Sequence, residues 1–411
     1  MKKYILFSIV ILFSCFAHAQ DYASIKNIVA LQQYKSAKEK FDSAAKNAQF
    51  TAKPEAYILK ASIYAGLATD PSVKGSATEE ALLKTADMAF TEFKMKDPSL
   101  ALLNDALYQN ALFNLYSGLY TSGYKNYQDK NWAIGLQTFK KVITYSDLLI
   151  SKKLLGVSID TNALILAGIV AENAGAKDEA AKYYGRLADA KISGEGFETV
   201  YRFMVTYYFT KKDMVCFEKY KALGKSVYPK SEYFDYDKVD FAGGLETDWN
   251  KKIAALEELL AADPSNEKAN QVLGETIFDT LKTTNTLPAA KAAQMEAKMI
   301  TAFNQSSKAN PNNALPLLYI GNYYIYKAIS IQEKIPTATN KEELTKQYGI
   351  TFNNAREPYE KAVAIYSVKK DLSDVDKKQY KNIVAYLYEI YKFNNDAVGA
   401  KKWNDFYNAL Q

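Results

Sequence analysis

Apolar residues along this chain recur at offsets of three, four and seven, the spacing that places side chains on one face of a helix. Two blocks share one layout. Asn270, Leu273-Gly274 and Ile277 repeat as Leu317, Ile320-Gly321 and Tyr324: large, large-Gly, large. A second layout sets a small residue four before an aromatic, with a proline about eight further on in some copies. It occurs as Ala86, Phe90, Pro98 and as Cys216, Tyr220, Pro229. Without proline it recurs as Ala37/Phe41, Gly135/Phe139, Ala180/Tyr184, Ala355/Tyr359 and Gly399/Trp403, and with a larger first residue as Met299/Phe303/Pro311. Pro264 and Pro311 follow Asp263 and Asn310 and mark helix ends, because the residue before proline is pushed away from helical dihedrals.

The two layouts, alternating, predict helical hairpins near 22–48, 54–95, 103–147, 161–190, 197–226, 233–262, 267–309, 313–367 and 376–409. Glycine inside a helix costs about 1 kcal/mol relative to alanine, so Gly274 and Gly321 predict a close helix–helix approach. The aromatic of each second helix is expected to fill the gap to the next hairpin, burying roughly 150–250 Å². Insertions are expected at 69–78, 283–288 and 331–347, as loops on an edge. The stretch 228–248 departs most from the pattern and is read as a degenerate repeat, the alternative being a hinge.

These blocks resemble the tetratricopeptide-repeat (TPR) family, across essentially all of the chain beyond its first twenty residues. The resemblance implies an all-α solenoid of eight to nine antiparallel hairpins in a right-handed superhelix with a concave surface. It divides the chain into an export segment (1–19), an N-terminal array (20–232) and a C-terminal array (233–411). A partner in this family lies against inward positions of the first helices, which map here to Tyr201, Tyr208, Gln271, Phe278, Asn322, Ile325, Tyr388 and Tyr391. Aromatic and amide groups there suit a protein or extended peptide, or alternatively a polysaccharide. The lysine of the carboxylate clamp known in this family is missing, since Leu318 stands four residues before Asn322.

Composition narrows the chemistry. Lys2 and Lys3, the apolar run 4–16 and Ala17-His18-Ala19 before Gln20 have the layout of a secretory signal peptide. Export to the periplasm or outer surface of a Gram-negative-type bacterium is therefore expected; lipidation at Cys15 is the alternative. Removing residues 1–19 takes away His18, the only histidine, and leaves Cys216 as the only thiol. No intramolecular disulfide is then available, and a Ser-His-Asp triad, a Cys-His pair and a histidine-bearing metal site are excluded. Paired carboxylates are the remaining catalytic option, yet nothing singles out a pair among 46 acids. Packing must hold the fold, and 32 Tyr with 20 Phe supply the material.

The net charge of +6 falls to +4 when Lys2 and Lys3 go. Arginine occurs only at Arg186, Arg202 and Arg356, which speaks against nucleic acid as a partner. Cys216 fills the small-residue slot and is read as buried packing. Trp132, Trp249 and Trp403 are read likewise, rather than as sugar platforms. No cofactor is expected, nor a membrane span after cleavage. The function read from the sequence is a non-enzymatic envelope scaffold. The alternative is a glycan-binding protein with a scaffold similar to the SusD-like nutrient-capture proteins.

Overall fold

The computed structural model describes residues 22–410 except 245, 246 and 285. The expected export segment, with Cys15, lies outside the described residues. Among those described there is no strand, and all long regular elements are α-helices. The chain divides into two compact units, one reaching Phe234 and one beginning at Asp235.

The first unit is a stack of hairpins: α1 (22–30) with α2 (Tyr34–Ala44), the single turn α3 (Ala48–Thr51), α4 (Pro54–Leu67) with α5 (Ala77–Lys96), α6 (Ala106–Gln128) with α7 (Trp132–Ser151), α8 (Thr161–Asn173) with α9 (Lys177–Asp189), and α10 (Glu198–Thr210) with α11 (Met214–Val227). Each helix packs on its hairpin partner and α4, α6, α8 and α10 meet the neighbouring hairpin as well, an arrangement that stacking of one repeated unit produces.

In the second unit α12 (Lys238–Gly244) pairs with α13 (Trp249–Ala262), α14 (Glu267–Thr283) with α15 (Ala289–Ala309), α16 (Leu315–Gln332) with both α17 (Lys341–Asn353) and α18 (Arg356–Val368), and α19 (Asp374–Phe393) with α20 (Ala397–Ala409). Within 228–248, the first helix of the pair is reduced to the seven residues of α12, preceded by the 3₁₀ turn Glu232–Asp235.

The glycine–aromatic pairing read from the sequence is the main packing device. A Cβ on Gly274 would lie 2.5 Å from the Phe303 ring, on Gly321 2.3 Å from Tyr359, and on Gly168 2.1 Å from Tyr184. Each ring then meets the next hairpin: Phe303 stacks on Tyr319 at 5.3 Å, Tyr359 on Tyr386 at 6.0 Å, and Tyr184 meets the edge of Phe203 at 4.9 Å. One side chain thus closes its own hairpin and joins it to its neighbour, the source of most apolar burial in such a stack.

The turns repeat too. Gln32, Lys130, Gly175, Lys212 and Asn395 all take left-handed dihedrals between the helices of a hairpin. The next residue donates its N–H five residues back in each case: Gln33 to Ile28, Asn131 to Asn126, Ala176 to Ala171, Asp213 to Tyr208 and Asp396 to Tyr391, at 2.8–3.1 Å. This is the Schellman closure, which satisfies carbonyls left open at a helix end. Four of the five left-handed positions carry side chains, so glycine did not flag them. Aspartates often begin the following helix. Asp105, Asp160, Asp213, Asp248 and Asp396 each accept a first-turn N–H.

Two insertions are more ordered than loops. The 69–78 segment holds the 3₁₀ turn Pro71–Val73 and ends where Ser76 Oγ caps Glu79 N–H, while the buried Glu79 carboxylate accepts from Gly75 N–H at 2.6 Å and Lys74 Nζ at 2.8 Å. The 331–347 segment, expected as a loop, contains the start of α17 (Lys341–Asn353). Glu342 and Glu343 favour a helix start there, and Tyr348 and Phe352, one turn apart, pack with Phe393 at 5.6 and 5.7 Å.

Candidate functional site

The eight partner positions mapped from the repeat do not form an open surface. Tyr201 is fully buried and donates to the Ile192 carbonyl at 2.7 Å. Phe278 and Ile325 are also interior, Phe278 against the edges of Tyr319 and Tyr323. Tyr208 is half-buried and stacks on Tyr220 at 5.3 Å. Gln271 donates to Glu275 and accepts from Asn313, and Asn322 accepts from the Tyr359 hydroxyl at 2.8 Å. Tyr388 packs on the core under Lys392, and Tyr391 presses on Gly399 and donates to Glu360. The expectation is therefore corrected for Tyr201, Phe278 and Ile325, which no partner reaches. In this aromatic-rich chain those positions serve the stack itself.

The tryptophans differ among themselves. Trp403 is buried as expected, whereas Trp132 and Trp249 are half-exposed at helix starts, Trp249 beneath Lys291. Cys216 is half-buried rather than enclosed. Burial pushes its thiol above the ordinary value, helped by Asp213, so little thiolate forms at neutral pH.

A cleft opens within the second unit, between α15, α16, the end of α17 and the start of α18. It has a volume of about 750 Å³. Ile300, Leu317 and Ile320 give it an apolar floor, and Asn304, Tyr324, Asn353, Asn354, Arg356, Lys361 and Asn394 bring polar groups to it. Tyr324 sits two residues from Asn322, which is about 200° around the helix, so the cleft faces away from Asn322.

The walls are fixed by bonds among themselves. Asn353 and Asn394 exchange amide hydrogen bonds, and each also donates to its own helix, to the Gly349 and Ile390 carbonyls at 2.9 Å. Other groups are left available. The Tyr324 hydroxyl and the Asn304 and Asn354 amides have no side-chain hydrogen-bond partner among the described residues. Burial, with Glu296 nearby, pushes Tyr324 up, so its hydroxyl stays a donor at neutral pH.

Arg356 stands apart from the other two arginines. Arg186 grips Asp147 with both terminal nitrogens at 2.6 and 3.1 Å, and Arg202 pairs with Glu198 at 2.6 Å. Arg356 has two acids close in sequence, yet Glu357 pairs with Lys361 at 2.7 Å and Glu360 accepts from Tyr391. Its guanidinium lies instead over the Tyr391 ring, 5.5 Å from the centroid, and makes no ion pair among the described residues. Sequence reading noted the three arginines but had no means to see that both neighbouring acids are occupied.

Among the described residues no three His, Cys, Asp or Glu side chains gather as a metal site, and no helix is long and apolar enough to cross a membrane. No protein-family description and no curated protein matches the sequence. Solved structures similar to it are helical: a human IFIT1 dimer with PPP-AAAA, at 13% identity and TM-score 0.23 over 94% of this chain and 89% of that one; Naa15/Naa10 bound to HypK-THB, at 10% and 0.18 over 96% and 94%; and the APC/C hetero-tetramer Cut9-Hcn1, at 13% and 0.18 over 94% and 86%. Scores this low carry no argument about what this chain does.

Proposed function

We propose that this protein is an exported, non-enzymatic scaffold that holds an extended stretch of another polypeptide in the cleft of its second unit. The observation that carries this reading is the lining of that cleft: an apolar floor beneath the Asn304 and Asn354 amides and the Tyr324 hydroxyl, which have no side-chain hydrogen-bond partner among the described residues. Asparagine both donates and accepts, which matches the main-chain amides of an extended peptide. The absence of histidine beyond residue 19 and a thiol held protonated support a binding role over catalysis. The leader-like residues 1–19 support export.

The test is position-specific photo-crosslinking in cell envelopes, with benzoylphenylalanine in place of exposed Asn304 or, as control, exposed Lys46. A protein adduct formed from 304 and absent from 46 is expected. Equal labelling from both, or none from 304, would sink the proposal.

The polysaccharide alternative has one observation of its own. Phe203 and Tyr207 on α10 lie parallel at 6.0 Å with both rings partly exposed, a surface on which a sugar could stack. Flat titrations against a polysaccharide panel would remove it.

A further inference from the structure

We infer that the cleft reads a carboxylate on its peptide, through the Arg356 guanidinium. The inference rests on the peptide-holding role just proposed and adds to it the chemical group that is recognised. A guanidinium presents paired N–H donors that match the two oxygens of a carboxylate, and it is useful for recognition only when no internal acid already fills the fork. Arg186 and Arg202 are filled, by Asp147 and Glu198. Arg356 alone of the three opens onto the cleft without an ion pair among the described residues.

Its place is set in advance. The Tyr391 ring under the guanidinium is held from behind by Gly399 and by the hydrogen bond from its hydroxyl to Glu360, so less freedom is lost when a ligand arrives. Tyr391, which the repeat pattern marked as a partner contact, acts here as a positioning residue.

Charge selects among anions. Of the charged residues that line the cleft, Arg356 and Lys361 face one acid, Glu357, which pairs with Lys361, while Glu360 lies outside the lining with its carboxylate on the Tyr391 hydroxyl. That balance fits a singly charged carboxylate better than a phosphate of nearly two charges, and the surrounding amides fit the peptide that bears it. The carboxylate meets an arginine at the start of a second helix, whereas the family resemblance selects first-helix positions.

The small number of arginines makes the test direct. Nitrogen-15 arginine labelling of the chain without residues 1–19 yields three side-chain Nε–H signals, each assigned by single substitution. The probes are two pools of N-acetylated heptapeptides free of Asp and Glu, one with free C-terminal carboxylates and one amidated, and inorganic phosphate as a third arm. The free-carboxylate pool should move the Arg356 signal saturably while Arg186 and Arg202 stay in place, and the amidated pool should leave it unmoved. Arg356→Gln should weaken binding of the carboxylate pool about tenfold, to the level of the amidated pool. Tyr391→Phe, which keeps the ring and loses the bond to Glu360, should weaken it less.

An Arg356 signal unmoved by both pools, moved equally by both, or moved by phosphate at lower concentration than by carboxylate overturns the assignment. Carbon-13 methyl signals of Ile300 and Ile320 separate the two levels of failure. If both pools shift those methyls while Arg356 is silent, the peptide reading stands and the carboxylate is wrong; if neither does, the peptide reading falls as well.

Discussion

The ring of Tyr359 presses on Gly321 so closely that a Cβ there would lie 2.3 Å from Cε1. Gly321→Ala improves intrinsic helix propensity by about 1 kcal/mol, yet the new methyl overlaps a ring locked between two hairpins. Overpacking costs typically 1–3 kcal/mol, and with the partial offset from propensity the expected outcome is a net loss of about 1–2 kcal/mol, read as a lower urea midpoint. Gly244→Ala, with nothing within 4 Å, is the control and should be neutral. A neutral Gly321→Ala would show that the ring can move aside.

The left-handed lysines make the opposite prediction. Lys130 and Lys212 sit at φ 58° and 60°, where a side chain crowds the backbone and glycine does not. Lys130→Gly and Lys212→Gly should each raise stability by up to about 1 kcal/mol, the gain reduced by glycine's freedom in the unfolded chain. Gly175→Ala, at φ 74°, should lower it by a similar amount. Thermal melts of the three variants check the signs together.

Asp160 joins three helices. Its carboxylate accepts from the Tyr116 hydroxyl at 2.7 Å, from Ser146 Oγ at 2.8 Å and from Ala163 N–H at 3.0 Å, linking α6, α7 and the start of α8. Asp160→Ala removes a cap and strands two hydroxyls, an expected loss of about 2–4 kcal/mol. Asp160→Asn, which keeps an oxygen for the cap, should fall between. Urea unfolding of both variants distinguishes this from a surface effect, which would be near zero.

Alkaline pH should unfold this chain through its buried tyrosines. Burial pushes Tyr201, Tyr220 and Tyr366 up from 10.0 to about 12, and pushes Tyr108, Tyr145 and Tyr359 higher still. A pKa raised on folding means that the folded chain holds the proton more tightly. The contribution is therefore complete below pH 10 and is lost as pH rises from 10 toward 12 and beyond. Helical circular dichroism should therefore hold up to pH 10 and fall in that window. Loss of helicity already complete below pH 10 would contradict the burial described.

The hairpin register was legible because its packing device is local and chemically distinctive. Gly321 and Gly274 show in one dimension as a glycine directly after a large apolar residue, and Tyr359 as a ring four residues after the small Ala355. The turns were hidden, since left-handed closure at Lys130 and Lys212 uses residues that carry no turn signature. The helix α17 was hidden as well, because its rings Tyr348 and Phe352 find a partner in Phe393, which is distant in sequence.

Three of the mapped positions, Tyr201, Phe278 and Ile325, are interior for a related reason. Helical periodicity marks a stripe but does not say how many faces a helix buries, and a helix inside a stack buries several. Tyr201 and Tyr324 look alike in sequence; one is sealed beneath the Ile192 carbonyl and the other opens into the cleft. The isolation of Arg356 depends on Lys361 and Tyr391 engaging its two neighbouring acids, and the second of those contacts spans 31 residues between Tyr391 and Glu360.

The helix α17 lies between α16 and α18 in sequence and packs on α16, which meets α18 directly as well. Asn353, at its end, forms part of the cleft wall, so exchanging this one segment would recut the opening and leave the floor of Ile300, Leu317 and Ile320 in place. The insert behaves as an interchangeable jaw on a standard vice, and a graft of different length or polarity there is the economical way to give the same array a different grip.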